Sequence, residues 1–155
     1  MPKLLSLIDQ LAQQIKNLDQ VSHTVSKGSV AWHIEHSLLV ITQIVEGVKH
    51  SDPTKYKWEF NFKRIIVLAL NKIPRGKATA PASVLPIENL TQAHLMESIN
   101  KAKNSLKVLD SCDPYQYFTH PFFAHLKVAP TKRFFVVHTT HHLRIIKDIL
   151  KANVR

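Results

Sequence analysis

In several long segments of this chain, an apolar side chain recurs at every third or fourth position. Over residues 3–20 the apolar positions step by 4, 3, 4 and 3 residues (Leu4, Ile8, Leu11, Ile15, Leu18). This period aligns them along one face of an α-helix. Only three glycines occur among the 155 residues, so few positions favour a break in such helices. The first segment therefore predicts a helix that packs against a partner.

The same period predicts three further long helices. One covers residues 30–48, and Ser29 is its candidate N-cap because a hydroxyl can accept a hydrogen bond from a free amide of the first turn. A second covers residues 88–109, where the apolar gaps are again 4, 3, 4 and 3, and a third covers residues 131–152. Four long helices predict an all-α fold, an antiparallel four-helix bundle formed by residues 1–155 as a single domain.

The connections between these helices are long. Residues 58–70 are very apolar and show no alternation of apolar and polar side chains, so we favour a short extra helix there. Residues 71–86 contain three prolines and a glycine, which predicts a loop. Residues 110–130 form a second connection with room for one helical turn. Because Pro130 cannot continue a helix, we place the start of the last helix after it, with Thr131 as candidate cap.

Composition and charge narrow the class of protein. The formal charge is +10, but the lysines are scattered and form no dense run, which favours a solvated basic surface over a nucleic-acid site. The longest apolar run, residues 65–70, is too short to span a membrane, and the first 14 residues lack the pattern of a signal peptide. Cys112 is the single cysteine, so no intramolecular disulfide can form. We expect a cytoplasmic protein with neither a membrane nor a nucleic-acid partner.

Two histidines of the last helix lie on its apolar stripe, whose positions step by 3, 4, 3 and 4 (Phe135, His138, His142, Ile145, Ile149). Histidines at i and i+4 can both reach one metal ion. The alternative is a pair of core histidines whose rings hydrogen-bond to the backbone or to buried polar side chains. His141 falls on the side of Arg144 and Asp148, so we expect it to face solvent.

A metal site needs at least a third ligand, and the second helix offers His33 and His36. A helical wheel places His33 slightly closer to the apolar centre, but this helix is apolar on more than one side, so the wheel does not decide. Glu35 falls on the polar side, and we expect it at the surface. His120 could add a fourth imidazole near the site, or it could be a loop residue bonded to the backbone.

The segments SVAWHIEHSL (29–38) and HTTHHLRII (138–146) together resemble the DinB/YfiT-like superfamily of metal-dependent helical-bundle proteins. IPRGKATAPASVLP (73–86) and THPFFAHL (119–126) resemble phrases of a bacterial branch of it, so the resemblance covers nearly the whole chain. In that superfamily a serine opens the second helix, a ligand histidine follows seven residues later, and the last helix carries H-x-x-x-H. The resemblance therefore implies that His36, His138 and His142 are the metal ligands.

The resemblance also implies a function. Related proteins hold nickel, zinc, manganese or iron on three histidines, with the remaining positions open to water, and some transfer small thiols. We therefore expect a metal-dependent enzyme acting on small molecules by thiol transfer or hydrolysis, with a homodimer as a further expectation. Arg75 and Lys77 are candidates for binding an anionic substrate group at the rim of the site. The alternative is a non-catalytic interaction protein with structural histidines.

Overall fold

The computed structural model of the protein describes residues 1–76 and 80–154. This part of the chain is mostly helical and also contains one β-hairpin, so the prediction of a mostly helical protein is confirmed and the all-α prediction is corrected. The helices and strands are α1 (Pro2–Gln13), α2 (Val30–Lys49), α3 (Phe62–Leu70), α4 (Gln92–Ser111), β1 (Tyr117–His120), β2 (Ala124–Lys127) and α5 (Val128–Ala152).

Side-chain caps fix where several helices begin. The Ser29 hydroxyl accepts a hydrogen bond from the Trp32 amide at 3.2 Å, as the sequence predicted for α2. Thr91 caps α4 in the same way. The first helix ends at Gln13, earlier than predicted, and a short 3-10 turn follows it. The carbonyls of Leu18 and Gln20 then accept the amides of Ala31 and Val30, which turns the chain towards α2.

The long helices share one core. Helix α2 packs against α4 and α5, and α1 packs against the same two helices. The buried apolar side chains form one continuous cluster with contributions from all four. Because α2 is covered on several sides, most of its length is buried, which explains its broad apolar surface. The short helix α3 lies against α5.

A β-hairpin replaces the connection that we predicted over residues 110–130. Its strands pair antiparallel, with Phe118 opposite Leu126 and His120 opposite Ala124. Both strands pack against α5, and β1 also packs against α2. Gly47 of α2 permits this approach, because a Cβ atom there would lie only 3.2 Å from the Phe118 ring. Each strand has only four residues, too few for alternation to stand out in the sequence.

The start of α5 also differs from the prediction. The helix begins at Val128, so Pro130 occupies its first turn, where the missing N–H of proline has no intrahelical partner to lose. Thr131 is not the cap. It is fully buried, and its hydroxyl donates to the carbonyl oxygen of Leu126 at 3.0 Å, which ties α5 to β2.

Candidate metal centre

Three buried histidines meet where α2 packs on α5. One ring nitrogen from each of His36, His138 and His142 lies within 4.8 Å of the others. The ring centroids are 5.1 Å apart for His36 and His138 and 4.8 Å apart for His36 and His142. The i, i+4 spacing sets the two α5 rings side by side, with centroids 4.5 Å apart. The three residues chosen from the sequence are therefore close enough to hold one metal ion.

The ring of His36 is held in one tautomer. Its Nδ1 lies 2.8 Å from the carbonyl oxygen of Val84, and because a carbonyl only accepts, Nδ1 carries the hydrogen and donates it. The neutral ring then has its lone pair on Nε2, the nitrogen available to a metal ion. Trp32 stacks on the ring with centroids 4.8 Å apart and the planes 14° from parallel. These contacts fix the orientation of the ring.

His33 lies behind the three-histidine cluster. Its Nδ1 is 2.9 Å from Nδ1 of His142, and its Nε2 is 2.9 Å from the hydroxyl oxygen of Ser26. If His142 donates from Nδ1, its Nε2 is free for a metal, and His33 donates from its own Nε2 to Ser26. The Ser26 oxygen also accepts the Gly28 amide at 3.2 Å, within its capacity of two. His33 is thus placed to orient a ligand rather than to be one.

His138 contributes the clearest sign that these residues fit a cation. Its Nδ1 is buried and has no hydrogen-bond partner among the described residues. A buried polar atom without a partner costs free energy, and buried polar atoms are generally satisfied in native proteins. A metal ion bound by the cluster would give this imidazole a partner of suitable chemistry.

Burial keeps the cluster uncharged. It lowers the pKa of His138 and of His142 well below the ordinary value of 6.5, and the neighbouring histidines lower each further. Burial also lowers the pKa of His36, partly opposed by its hydrogen bond to Val84. All three imidazoles are therefore neutral at pH 7, which is the form that binds a metal. Neutral imidazoles are suitable ligands for zinc, nickel, copper and iron.

Two further histidines lie near the cluster without joining it. His141, expected to face solvent, is half-buried, and its pKa is lowered to about 4 by burial and then by the charges of Arg75 and Arg144. The ring of His120 stacks on Phe123 with centroids 4.3 Å apart, and burial lowers its pKa to about 4. Its Nδ1 accepts the Phe122 amide at 3.1 Å, so its Nε2 bears the hydrogen and it is not prepared as a fourth ligand.

A cavity of about 360 Å³ opens onto the cluster. Its walls are mainly apolar and aromatic, and they come from α2, α5, the hairpin and both parts of the 71–86 connection that the structure describes (including Trp32, Ile44, Val84, Phe118, Phe123, Phe134). The cavity is also lined by five histidines (His36, His120, His138, His141, His142). Within residues 1–76 and 80–154, no Asp, Glu, Lys or Arg side chain contributes to the lining. The site thus combines metal-binding chemistry with a largely apolar enclosure.

Arg75 and Lys77 are the two cations that the sequence analysis predicted at the rim of the site. A guanidinium nitrogen of Arg75 lies 2.7 Å from the carboxylate of Asp148, and Arg75 is not among the residues lining the cavity. Lys77 lies outside the described residues. Arg75 is therefore paired with Asp148 and does not line the cavity beside the three-histidine cluster.

Glu35 was expected at the surface, but it is only 2% exposed. One carboxylate oxygen accepts hydrogen bonds from His94 Nε2 at 3.0 Å and from the Ser98 hydroxyl at 3.1 Å, both on α4. The other oxygen is buried without a partner in the described part of the chain. The broad apolar surface of α2 was the feature of the sequence that could have predicted the burial of Glu35, because a helix covered on several sides also buries its polar positions.

No protein-family model matches the chain, and comparison with curated proteins and solved structures found no significant similarity. None of the described helices is both long and apolar enough to cross a membrane.

Proposed function

We propose that this protein is a member of the DinB/YfiT-like superfamily with its four-helix-bundle fold, and that it binds one divalent metal ion to act on small molecules by thiol transfer or hydrolysis. The observation that carries the proposal is the buried trio of His36, His138 and His142 at the wall of a cavity. A bound divalent ion would supply Lewis acidity there, which lowers the pKa of a coordinated water or thiol.

The residues around the trio support binding of this kind. The Val84 carbonyl and the His33 ring each hold one nitrogen of a ligand imidazole, which leaves the other nitrogen for the metal. The cavity walls beside the trio are mainly apolar and aromatic. Both features favour a preorganised centre with open coordination positions.

The cavity also narrows the class of substrate. Three neutral ligands leave the full positive charge of a divalent ion uncompensated, which favours an anionic group such as a thiolate or a carboxylate. The walls offer apolar and aromatic side chains and no charged side chain among the described residues. We therefore favour a compact, largely apolar molecule that carries one metal-binding group.

The second candidate is a non-catalytic helical protein in which the histidines are structural. The hydrogen bonds of His36 to Val84 and of His142 to His33 favour it, because they partly satisfy two of the three rings without a metal. The unpartnered Nδ1 of His138 favours the metal instead.

Metal analysis of untagged protein separates the two candidates. We expect about one metal ion per chain in the wild type and little in His138→Ala or His142→Ala, with the helical fold kept. His23→Ala is the matched control, because His23 is exposed and lies outside the cluster. If the wild type binds no nickel, zinc, manganese or iron even after incubation with each, the metal-site proposal is wrong. If the wild type does bind a metal, the metal-loaded protein is screened with thiols and electrophilic substrates. A chelator should abolish any turnover.

A further inference from the structure

A run of large apolar side chains is exposed on and just before α3. Six of them lie within residues 58–70, with exposed fractions from 39% to 69% (Trp58, Phe60, Phe62, Ile65, Ile66, Leu70). Among the residues of α3, only Val67 is buried. We call these six side chains the 58–70 apolar face. Concentrated apolar exposure of this kind is uncommon on a monomer and marks a surface that is covered by something else.

The six side chains follow one another closely along the chain. Trp58 and Phe60 lie in the non-helical segment just before α3, and Phe62 is the first residue of α3. Within α3, the steps from Phe62 to Ile65 and Ile66 are three and four residues, which keeps them on one side of the helix. Three exposed aromatic side chains are therefore followed by an aliphatic stripe on α3.

The charges beside this face are nearly all positive. Over residues 55–72 the sequence has five cationic side chains and one acidic one, Glu59. Arg64 is occupied, because its guanidinium donates to the backbone carbonyls of Glu59, Phe123 and His125. Lys57, Lys63 and Lys72 are exposed and have no acidic partner within the described ranges. The face therefore suits a partner that is apolar inside and negative at its surface.

This combination favours a lipid surface over a second copy of the chain. Pairing two copies across a two-fold axis would bring like-charged lysines together, and lysine is depleted from protein–protein interfaces. At a bilayer, aromatic and aliphatic side chains enter the boundary layer while lysines reach the anionic headgroups. We propose that the 58–70 apolar face docks on the surface of an anionic lipid bilayer. The proposed contact is with the surface of the bilayer only, and it does not depend on the proposed metal site.

The face adjoins the cavity. Phe122 lines the cavity and is 43% exposed, so it stands at the opening. Its carbonyl accepts a hydrogen bond at 3.0 Å from the side chain of Asn61, the N-cap of α3. Docking would bring the opening close to the bilayer, where apolar small molecules accumulate. This arrangement gives the surface a reason to lie beside an apolar cavity.

Flotation of the full chain with lipid vesicles tests the proposal. We expect the wild type to float with phosphatidylcholine vesicles that contain phosphatidylglycerol, and to float less with pure phosphatidylcholine or at high salt. The triple variant Trp58→Ser, Phe60→Ser, Phe62→Ser should partition at least about tenfold less, because it removes three interfacial rings. Lys57→Gln combined with Lys63→Gln and Lys72→Gln should lose the preference for anionic vesicles.

The matched control is Val21→Ser with Val108→Ser and Val154→Ser, which removes exposed apolar side chains elsewhere and should float like the wild type. Quenching of wild-type fluorescence by brominated lipid, lost in Trp58→Phe, gives a readout in a minimally altered protein. Absence of flotation by the wild type would overturn the proposal. The proposal would also be overturned if the wild type is a dimer and the triple variant Trp58→Ser, Phe60→Ser, Phe62→Ser is a monomer, because that outcome assigns the face to a second copy.

Discussion

At the scale of single residues, the hydrogen bonds around the cluster divide the histidines by role. His36 and His142 each engage one ring nitrogen in a hydrogen bond at 2.8 or 2.9 Å, whereas His33 engages both of its nitrogens. A ring with both nitrogens engaged has no lone pair left for a metal. We therefore expect His33 to act on metal affinity through the orientation of His142.

Replacing His33 with alanine should weaken metal binding without abolishing it. His142 stays in place but loses the hydrogen-bond partner of its Nδ1, so we expect an affinity about 10- to 100-fold lower. Competition with a coloured chelator measures this affinity. His23→Ala serves as the control, and an unchanged affinity in His33→Ala would show that the hydrogen bond to His142 has no influence on the metal.

Glu35 should contribute to stability through its contacts with α4. Glu35→Ala removes the acceptor for His94 and Ser98 and leaves a small void, so we expect the free energy of unfolding to fall by about 1–3 kcal/mol. Urea unfolding provides the measurement. Glu46→Ala, on the exposed side of the same helix, should change stability much less, because its ion pairs lie in solvent. Equal effects of the two substitutions would contradict the role given to Glu35.

At the scale of elements, α5 connects the hairpin to the three-histidine cluster. It begins directly after β2, to which Thr131 near its start is tied, and His138 follows Thr131 by seven residues. Thr139 is as deeply buried as Thr131, but its hydroxyl has no hydrogen-bond partner among the described residues. The two threonines thus allow a comparison of a satisfied and an unsatisfied hydroxyl on one helix.

Valine at these two positions should have opposite effects. Thr131→Val leaves the Leu126 carbonyl without that donor and should lower the free energy of unfolding by about 1–2 kcal/mol. Thr139→Val replaces an unpartnered hydroxyl by a methyl group of similar size and should be neutral or stabilising by up to about 1 kcal/mol. Thermal and urea unfolding of both variants would show the contrast. A loss of stability at Thr139 as large as at Thr131 would mean that its hydroxyl does have a partner.

At the scale of the whole molecule, the buried histidines couple folding to pH. In the unfolded chain a histidine protonates near pH 6.5, whereas burial lowers the pKa of His33 and of His120 to about 4. Between these values the unfolded chain binds more protons than the folded one. The contribution to stability is therefore fully present above pH 6.5 and is lost as the pH falls towards 4.

Metal-free protein should consequently become less stable in mild acid. For each of His33 and His120, we expect the free energy of unfolding to fall by about 1.4 kcal/mol per pH unit within this window. Urea unfolding in the presence of a chelator, between about pH 7 and about pH 5, measures the slope. His120→Phe removes one of these titrating groups and should reduce the slope by about 1.4 kcal/mol per pH unit. A stability that does not change over this range would contradict the neutral, buried state of these rings.

Much of this architecture follows from local sequence. The stripes with steps of three and four residues predicted the long helices, and Ser29 predicted the start of α2, because helix period and capping involve neighbours along the chain. The i, i+4 spacing of His138 and His142 likewise determined that their rings would be adjacent. The choice of His36 came from the resemblance to a family, and the structure brings that residue to the other two.

Tertiary packing decided the rest, because it depends on how separate segments meet. The rotation of α2 against α4 and α5 decided that His36 joins the cluster, that His33 stands behind it and that Glu35 is buried. A helical wheel describes one helix and contains no information about which neighbour covers which side. The hairpin could not be predicted from local sequence for the same reason. Its four-residue strands are stabilised by each other and by α2 and α5 rather than by their own sequence.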